Sequence, residues 1–216
     1  MKTIFNANRA FIIPYIIFIL LGAVLIIINS KSITHLEFNT LHNSFFDVFF
    51  YYATNLGDGV MALLIVIILI VIKYKYALIV ALSTIIASLI TQLLKHTFFS
   101  GIVRPKKFFE GVHELYFVPG VNNHLYNSFP SGHSTCAFSL YFSLALLVKN
   151  KLLKFIFFSV ALLSAYSRIY LSQHFFEDVY VGSLIGTIIA FVVFYAISTK
   201  ANIKLEESLI TQLKKQ

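Results

Sequence analysis

Three clusters of residues in this chain have the types and spacing needed to move a phosphoryl group. The first is Lys95 and, after eight intervening residues, Arg104-Pro105. The second is Phe129-Pro130-Ser131-Gly132-His133. The third is Ser167-Arg168, five residues, His174, three residues, and Asp178. A phosphate carries nearly two negative charges, and its transition state spreads charge over three equatorial oxygens. Arginine offers forked, bidentate donors to such oxygens and lysine a point charge. A Ser-Gly turn adds a hydroxyl and backbone N–H donors, so the set would form a preorganised anion cage. A histidine becomes a nitrogen nucleophile when a carboxylate holds its other ring nitrogen. Asp178 follows His174 by four residues, one helical turn, so the two can share a face. A second histidine, His133, is placed to protonate the departing alkoxide and later to activate water. The scheme calls for no metal and no cofactor.

These residues need elements to hold them, and the composition says where those elements lie. The chain has 216 residues, of which 58% are hydrophobic and 12% charged. A soluble domain carries roughly 25% charged residues, so this chain belongs in a bilayer. We expect an all-α polytopic membrane protein, a six-transmembrane-helix bundle in a single domain over residues 1–216. The apolar runs predict spans at about 11–28, 59–72, 76–94, 134–148, 152–166 and 179–198, judged against the roughly 20 residues a bilayer core requires. The N-terminal run is long and lacks a small-residue cleavage site, so it reads as a retained span.

Lys and Arg then set the orientation. Lys2 and Arg9 precede span one, and Lys73 and Lys75 separate spans two and three. Lys149, Lys151 and Lys154 separate spans four and five, and Lys200, Lys204, Lys214 and Lys215 follow span six. All four sites fall on one face, the cytoplasmic one, with both termini. The opposite face receives about 29–58, 95–133 and 167–178, and with them all three clusters. Lys95, Arg104, Lys106 and Lys107 break the positive-inside pattern there, and binding an anion is a reason for them to do so. The expected site therefore lies at the outer-face helix ends.

The clusters resemble the three signature motifs of the type 2 phosphatidic acid phosphatase family, which shares its site with vanadium haloperoxidases. That pattern is Lys-x6-Arg-Pro, then Pro-Ser-Gly-His, then Ser-Arg-x5-His-x3-Asp. The second and third motifs match residue for residue, whereas Lys95 and Arg104 stand two residues further apart than is usual. The resemblance implies a six-helix core and roles by position. His174 would attack phosphorus to form phosphohistidine, Asp178 would orient it, and His133 would be the general acid. Lys95, Arg104, Ser131, Gly132 and Arg168 would bind phosphate. The implied substrate is a membrane lipid carrying a phosphomonoester or pyrophosphate: phosphatidic acid, phosphatidylglycerol phosphate or lipid A phosphate. An alternative is undecaprenyl pyrophosphate in carrier-lipid recycling. A rival of another class is a catalytically silent lipid-binding or transport protein on the same helices.

The remaining features read more plainly. Cys136 is a packing residue, and His35, His42, His96, His113 and His124 lack zinc-type spacing. Gly182 and Gly186 form a small-residue pair for close helix packing. Phe108, Phe109, Tyr116 and Phe117 form a lipid-contacting lip or an interfacial aromatic belt. The residues from 203 to 216 read as a short cytoplasmic surface helix. The net charge of +8 serves topology, not nucleic acid. Abundant Ile, Phe, Asn and Lys without Trp suggest a bacterial source and hence the cytoplasmic (inner) membrane, with the site on the periplasmic side.

Overall fold

The computed structural model describes residues 2–199 and Glu207, and among them the chain is helical with no strand. The helices are α1 (Lys2–Ile28), α2 (Lys31–Asn39), α3 (Ser44–Ala53), α4 (Gly59–Ile72), α5 (Tyr74–His96), α6 (Pro105–Phe108, a single turn), α7 (Gly132–Leu147), α8 (Lys151–Tyr170) and α9 (Phe176–Ser198). A 3-10 turn over Thr54–Gly57 joins α3 to α4. The expected tail helix over 203–216 falls outside the described residues apart from Glu207, whose carbonyl accepts a bond from the Tyr74 amide at 3.0 Å.

Four of these helices are long and apolar enough to cross a membrane: Ile4–Ile28 of α1, α5, α8 and α9. The α3 and α4 segments pass the same test as a pair, bent by 54° at the 3-10 turn. The expected span over 59–72 coincides with α4, whose start is fixed by Asp58, its side chain accepting from the Gly59 amide at 2.6 Å. The other helices extend beyond the expected runs at one or both ends, because their terminal turns use polar residues that a hydropathy criterion discards. Two pieces of the 29–58 connection are themselves helical. Ser30 caps α2 and Asn43 caps α3, each through its side-chain oxygen.

The short helix α7 is the axis of the bundle. Every residue from Ser134 to Leu146 is buried, enclosed by α5, α8 and α9. Sixteen residues make a helix of only about 24 Å, and its serines and threonines depress its hydropathy. Both are tolerable because its neighbours, not lipid, surround it. The outer helices carry the apolar exterior instead: Leu21 is 66% exposed, Ile27 82%, Phe45 70% and Leu89 63%. In water such a surface would aggregate, whereas in a bilayer it is solvated.

The α7–α9 contact depends on two glycines. A Cβ on Gly182 would stand 2.6 Å from the Ser131 carbonyl oxygen, and one on Gly186 would stand 2.4 Å from that of Thr135. Backbone therefore meets backbone along this seam, as the small-residue spacing predicts. Opposite the seam, Lys154 of α8 is buried and bonds the Ala7 carbonyl at 2.8 Å and Asn8 Oδ1 at 2.5 Å. This ties the start of α1 to the start of α8.

Candidate functional site

The C-terminal ends of α5 and α8 meet the N-terminal ends of α7 and α9 at one end of the bundle. That arrangement brings all three sequence clusters together. Lys95 comes from the last turn of α5, Ser131 and His133 from the start of α7, Arg168 from the last turn of α8 and Asp178 from the first turn of α9. Arg104 lies in the intervening segment, just before α6. The two extra residues between Lys95 and Arg104 are taken up in turns after α5, where Gly101 has a φ of 79° and its amide bonds Asn127 Oδ1.

His174 is buried, and its Nδ1 lies 3.1 Å from Asp178 Oδ2. The same carboxylate oxygen accepts from the Phe175 amide at 3.0 Å, which also caps the start of α9. With Nδ1 facing a carboxylate, the ring's Nε2 is left with its lone pair. Burial, and then the charges of Arg104, Arg168 and Lys95, hold His174 well below its ordinary pKa, so the free ring is neutral. A neutral imidazole oriented by a buried carboxylate can act as a nucleophile.

The turn that carries His174 is a helix stop. The Ser172 amide bonds the Ile169 carbonyl at 2.9 Å, and the Gln173 amide bonds the Arg168 carbonyl at 2.9 Å. Ser172 sits between them in the left-handed region at φ 52°. This is the Schellman pattern, with serine where glycine is the usual choice. The His174 amide shares the Arg168 carbonyl at 3.1 Å. Asn39 of α2 donates to Ser172 Oγ at 3.1 Å, and His35 Nε2 lies 3.3 Å from it. Burial lowers the His35 pKa to about 4, so this ring too is neutral at neutral pH.

Three buried cations surround the histidine pair: Lys95, Arg104 and Arg168. Arg104 is fixed by three carbonyls, with its Nε bonding Tyr126 at 3.0 Å and its terminal nitrogens Gln173 at 3.0 Å and Asn127 at 3.4 Å. Burial lowers its pKa from the ordinary 12.5, a trend that Asp178 opposes. Arg168 donates to Thr54 Oγ1 at 2.5 Å, while its buried Nε has no partner among the described residues. A buried guanidinium N–H without an acceptor is costly, and a phosphate oxygen would satisfy it. Ser131 Oγ accepts from the Ser134 amide at 3.4 Å and the Ser134 hydroxyl at 3.0 Å. Both bonds are accepted, so its own proton stays available. Gly132 and His133 are only half-buried, and a Cβ on Gly132 would meet nothing within 4 Å. The cage therefore opens beside these two residues.

Sequence reasoning missed several contributors. Thr54 pairs with Arg168 from 114 positions away, and Ser128 donates to Asp178 Oδ2 at 2.5 Å from 50 positions away. Neither belongs to a cluster with recognisable spacing. Of the other histidines, His96, His113 and His124 are exposed, whereas His42 Nε2 lies 2.8 Å from the Tyr170 carbonyl. Among the described residues no three His, Cys, Asp or Glu side chains gather as metal ligands would. The pairs Phe108–Phe175 and Phe109–Phe175 place aromatic rings against the residue following His174. His113, Tyr116 and Phe117 line a separate cleft of about 630 Å³ beside α6.

Comparison with known proteins adds an independent line. The PAP2 superfamily pattern matches residues 76–202, which contain every member of the three clusters. The crystal structure of Aquifex aeolicus LpxE superposes with a TM-score of 0.67 at 28% identity, covering 74% of this chain and 92% of that one. The crystal structure of a transmembrane PAP2-type phosphatidylglycerolphosphate phosphatase from Bacillus subtilis gives 0.66 at 23% identity, covering 88% and 96%. No curated protein sequence matches.

Proposed function

The chain belongs to the PAP2 superfamily, and from that premise we propose that it is a membrane lipid phosphatase working through a phosphohistidine. The observation that carries this reading is the buried His174–Asp178 pair, 3.1 Å apart, among three buried cations. His174 Nε2 attacks phosphorus while the bond from phosphorus to the lipid oxygen breaks. His133 gives its proton to that oxygen, so the lipid leaves as an alcohol. Where the substrate is a pyrophosphate, the leaving group is the lipid monophosphate. His133 then takes a proton from water, whose oxygen attacks the phosphohistidine. Inorganic phosphate leaves and His174 is restored. Lys95, Arg104, Arg168, the Ser131 hydroxyl and the Gly132 amide hold the equatorial oxygens throughout.

We read six spans, counting the bent α3–α4 pair as one and the protein-enclosed α7 as another. Arg9, Lys149 and Lys151 lie at the end of the bundle remote from the site, and the positive-inside rule then puts the site on the outer face. At that depth a lipid headgroup reaches the cage without its chains leaving the bilayer. The likeness to a phosphatidylglycerolphosphate phosphatase supports a phosphorylated lipid as the substrate class. Phosphatidic acid, phosphatidylglycerol phosphate, lipid A phosphate and undecaprenyl pyrophosphate all satisfy the site, because the named residues bind phosphate and not a tail. A silent lipid-binding or transport role is disfavoured by the presence of both histidines.

The test is phosphate release from a panel of these lipids in detergent. Wild-type protein is expected to turn over at least one, His174→Ala none, and EDTA should leave the wild-type rate unchanged. Full activity in the alanine variant would remove the nucleophile from the mechanism, and loss of activity on chelation would overturn its metal-free character.

A further inference from the structure

Ser128 lies outside all three motifs, yet it is fully buried and touches both members of the nucleophile pair. Its Oγ is 2.5 Å from Asp178 Oδ2 and 3.5 Å from His174 Nδ1. A serine hydroxyl has one proton, and the shorter contact receives it. Asp178 Oδ2 thus accepts from three directions: the Ser128 hydroxyl, His174 Nδ1 and the Phe175 amide. The last two donors belong to the turn that carries the nucleophile. Ser128 alone approaches from elsewhere.

Its own placement is fixed by the segment that carries Arg104. The Ser128 amide bonds the Ile102 carbonyl at 3.0 Å, and the Arg104 amide bonds the Leu125 carbonyl at 2.8 Å. The Arg104 guanidinium reaches the carbonyl of Asn127, the residue next to Ser128, at 3.4 Å. Residues 102–104 and 125–128 are therefore clasped together by their backbones. One side of this clasp presents a phosphate-binding cation and the other presents a hydroxyl to the nucleophile's carboxylate. The Ser131 amide adds a second tie, to the Asp178 carbonyl at 2.9 Å.

We propose that Ser128 is a positioning residue for phosphoryl transfer, acting through Asp178. It pins the carboxylate in the rotamer that faces His174, so that Nδ1 keeps the proton and Nε2 the lone pair. Its bond to the Arg104 clasp keeps the nucleophile and the anion cage in one register. The assignment rests on the phosphohistidine reading above. It extends that reading to a residue that touches neither substrate nor phosphorus.

A double-mutant cycle distinguishes this role from simple packing. Short-chain phosphatidic acid in detergent micelles is the substrate, and kcat and KM are measured for wild type, Ser128→Ala, Asp178→Asn, the double variant and His174→Ala. Melting temperatures are recorded alongside. At metal sites, losing a hydrogen bond that orients a ligand costs about 10- to 100-fold in affinity or activity, and by analogy Ser128→Ala should lower kcat by about tenfold with KM nearly unchanged. The double variant should be no slower than Asp178→Asn alone, because Ser128 has nothing to position once the carboxylate is gone. Wild-type kcat in Ser128→Ala, or losses that multiply in the double variant, would overturn the positioning role while leaving His174 as nucleophile. Turnover that survives His174→Ala would overturn the mechanism itself, and the role of Ser128 with it.

Discussion

At the scale of single residues, the proposed phosphohistidine route depends on keeping His174 neutral among cations. Arg104, Arg168 and Lys95 all disfavour the imidazolium, as does burial, and Asp178 Oδ2 is the one anion in contact with the ring. Removing a cation therefore raises the pKa of His174, and the neutral form is lost at a higher pH. The acid limb of kcat/KM is accordingly expected to move to higher pH in Lys95→Met, in whatever turnover remains. A pH–rate profile on short-chain phosphatidic acid checks this, and an unmoved limb would show that Lys95 does not act on the nucleophile. The histidine–carboxylate pair was legible from its four-residue spacing, but its members do not share a helical face: His174 precedes the cap of α9 and reaches back to Asp178 in the first turn. Ser128 and Thr54 were not legible, because each reaches its partner only through the fold. The αL serine at 172 was also invisible, since its support comes from His35 and Asn39, more than a hundred positions earlier.

At the scale of elements, α7 and α9 are the pair on which the site depends. Their shared seam carries Ser131 and Thr135 on one side and Gly182 and Gly186 on the other. Gly182→Ala would push its Cβ against the Ser131 carbonyl, the same residue whose amide is tied to Asp178. Overpacking of this kind costs about 1–3 kcal/mol, so a lower melting temperature is expected together with a loss of turnover. Gly186→Ala meets Thr135 one turn further from the cage. It should lower the melting temperature comparably and reduce turnover less. Equal losses of turnover in the two variants would argue against a local coupling between seam and site. Apolar runs made these helices legible, and the two glycines announced their contact. The pairing of α3 with α4 was hidden because Thr54-Asn55-Leu56-Gly57-Asp58 interrupts the apolar run between them, where a 3-10 turn redirects the chain by 54°.

At the scale of the whole molecule, the question is which way the bundle faces. The chain has one cysteine, Cys136, and it is buried. Cys136→Ala is therefore a silent background for placing single reporters. On the outward reading, His124→Cys, at an exposed position near the site, should react with a membrane-impermeant maleimide in intact cells. Lys149→Cys, at the opposite end of the bundle, should react only after the membrane is opened. The reverse pattern would put the site on the cytoplasmic face and end the outward reading. In the sequence, the expected orientation rests on a charge count alone. The fold of residues 97–131 was not legible, because its order comes from long-range clamps such as that of Asn39 on the Tyr116 backbone, 2.9 Å in both directions.

The helix stop after α8 bears on how this sequence can change over time. Arg168 and His174 stand at the two ends of one piece of backbone punctuation, whose hydrogen bonds count residues as a ratchet counts teeth. One tooth more or fewer would swing the imidazole away from Asp178, so the five-residue interval is a mechanical constant. Lys95 and Arg104 are joined by turns that count nothing, and their interval can drift. The chain's one departure from the family spacing falls on the slack joint and not on the ratchet.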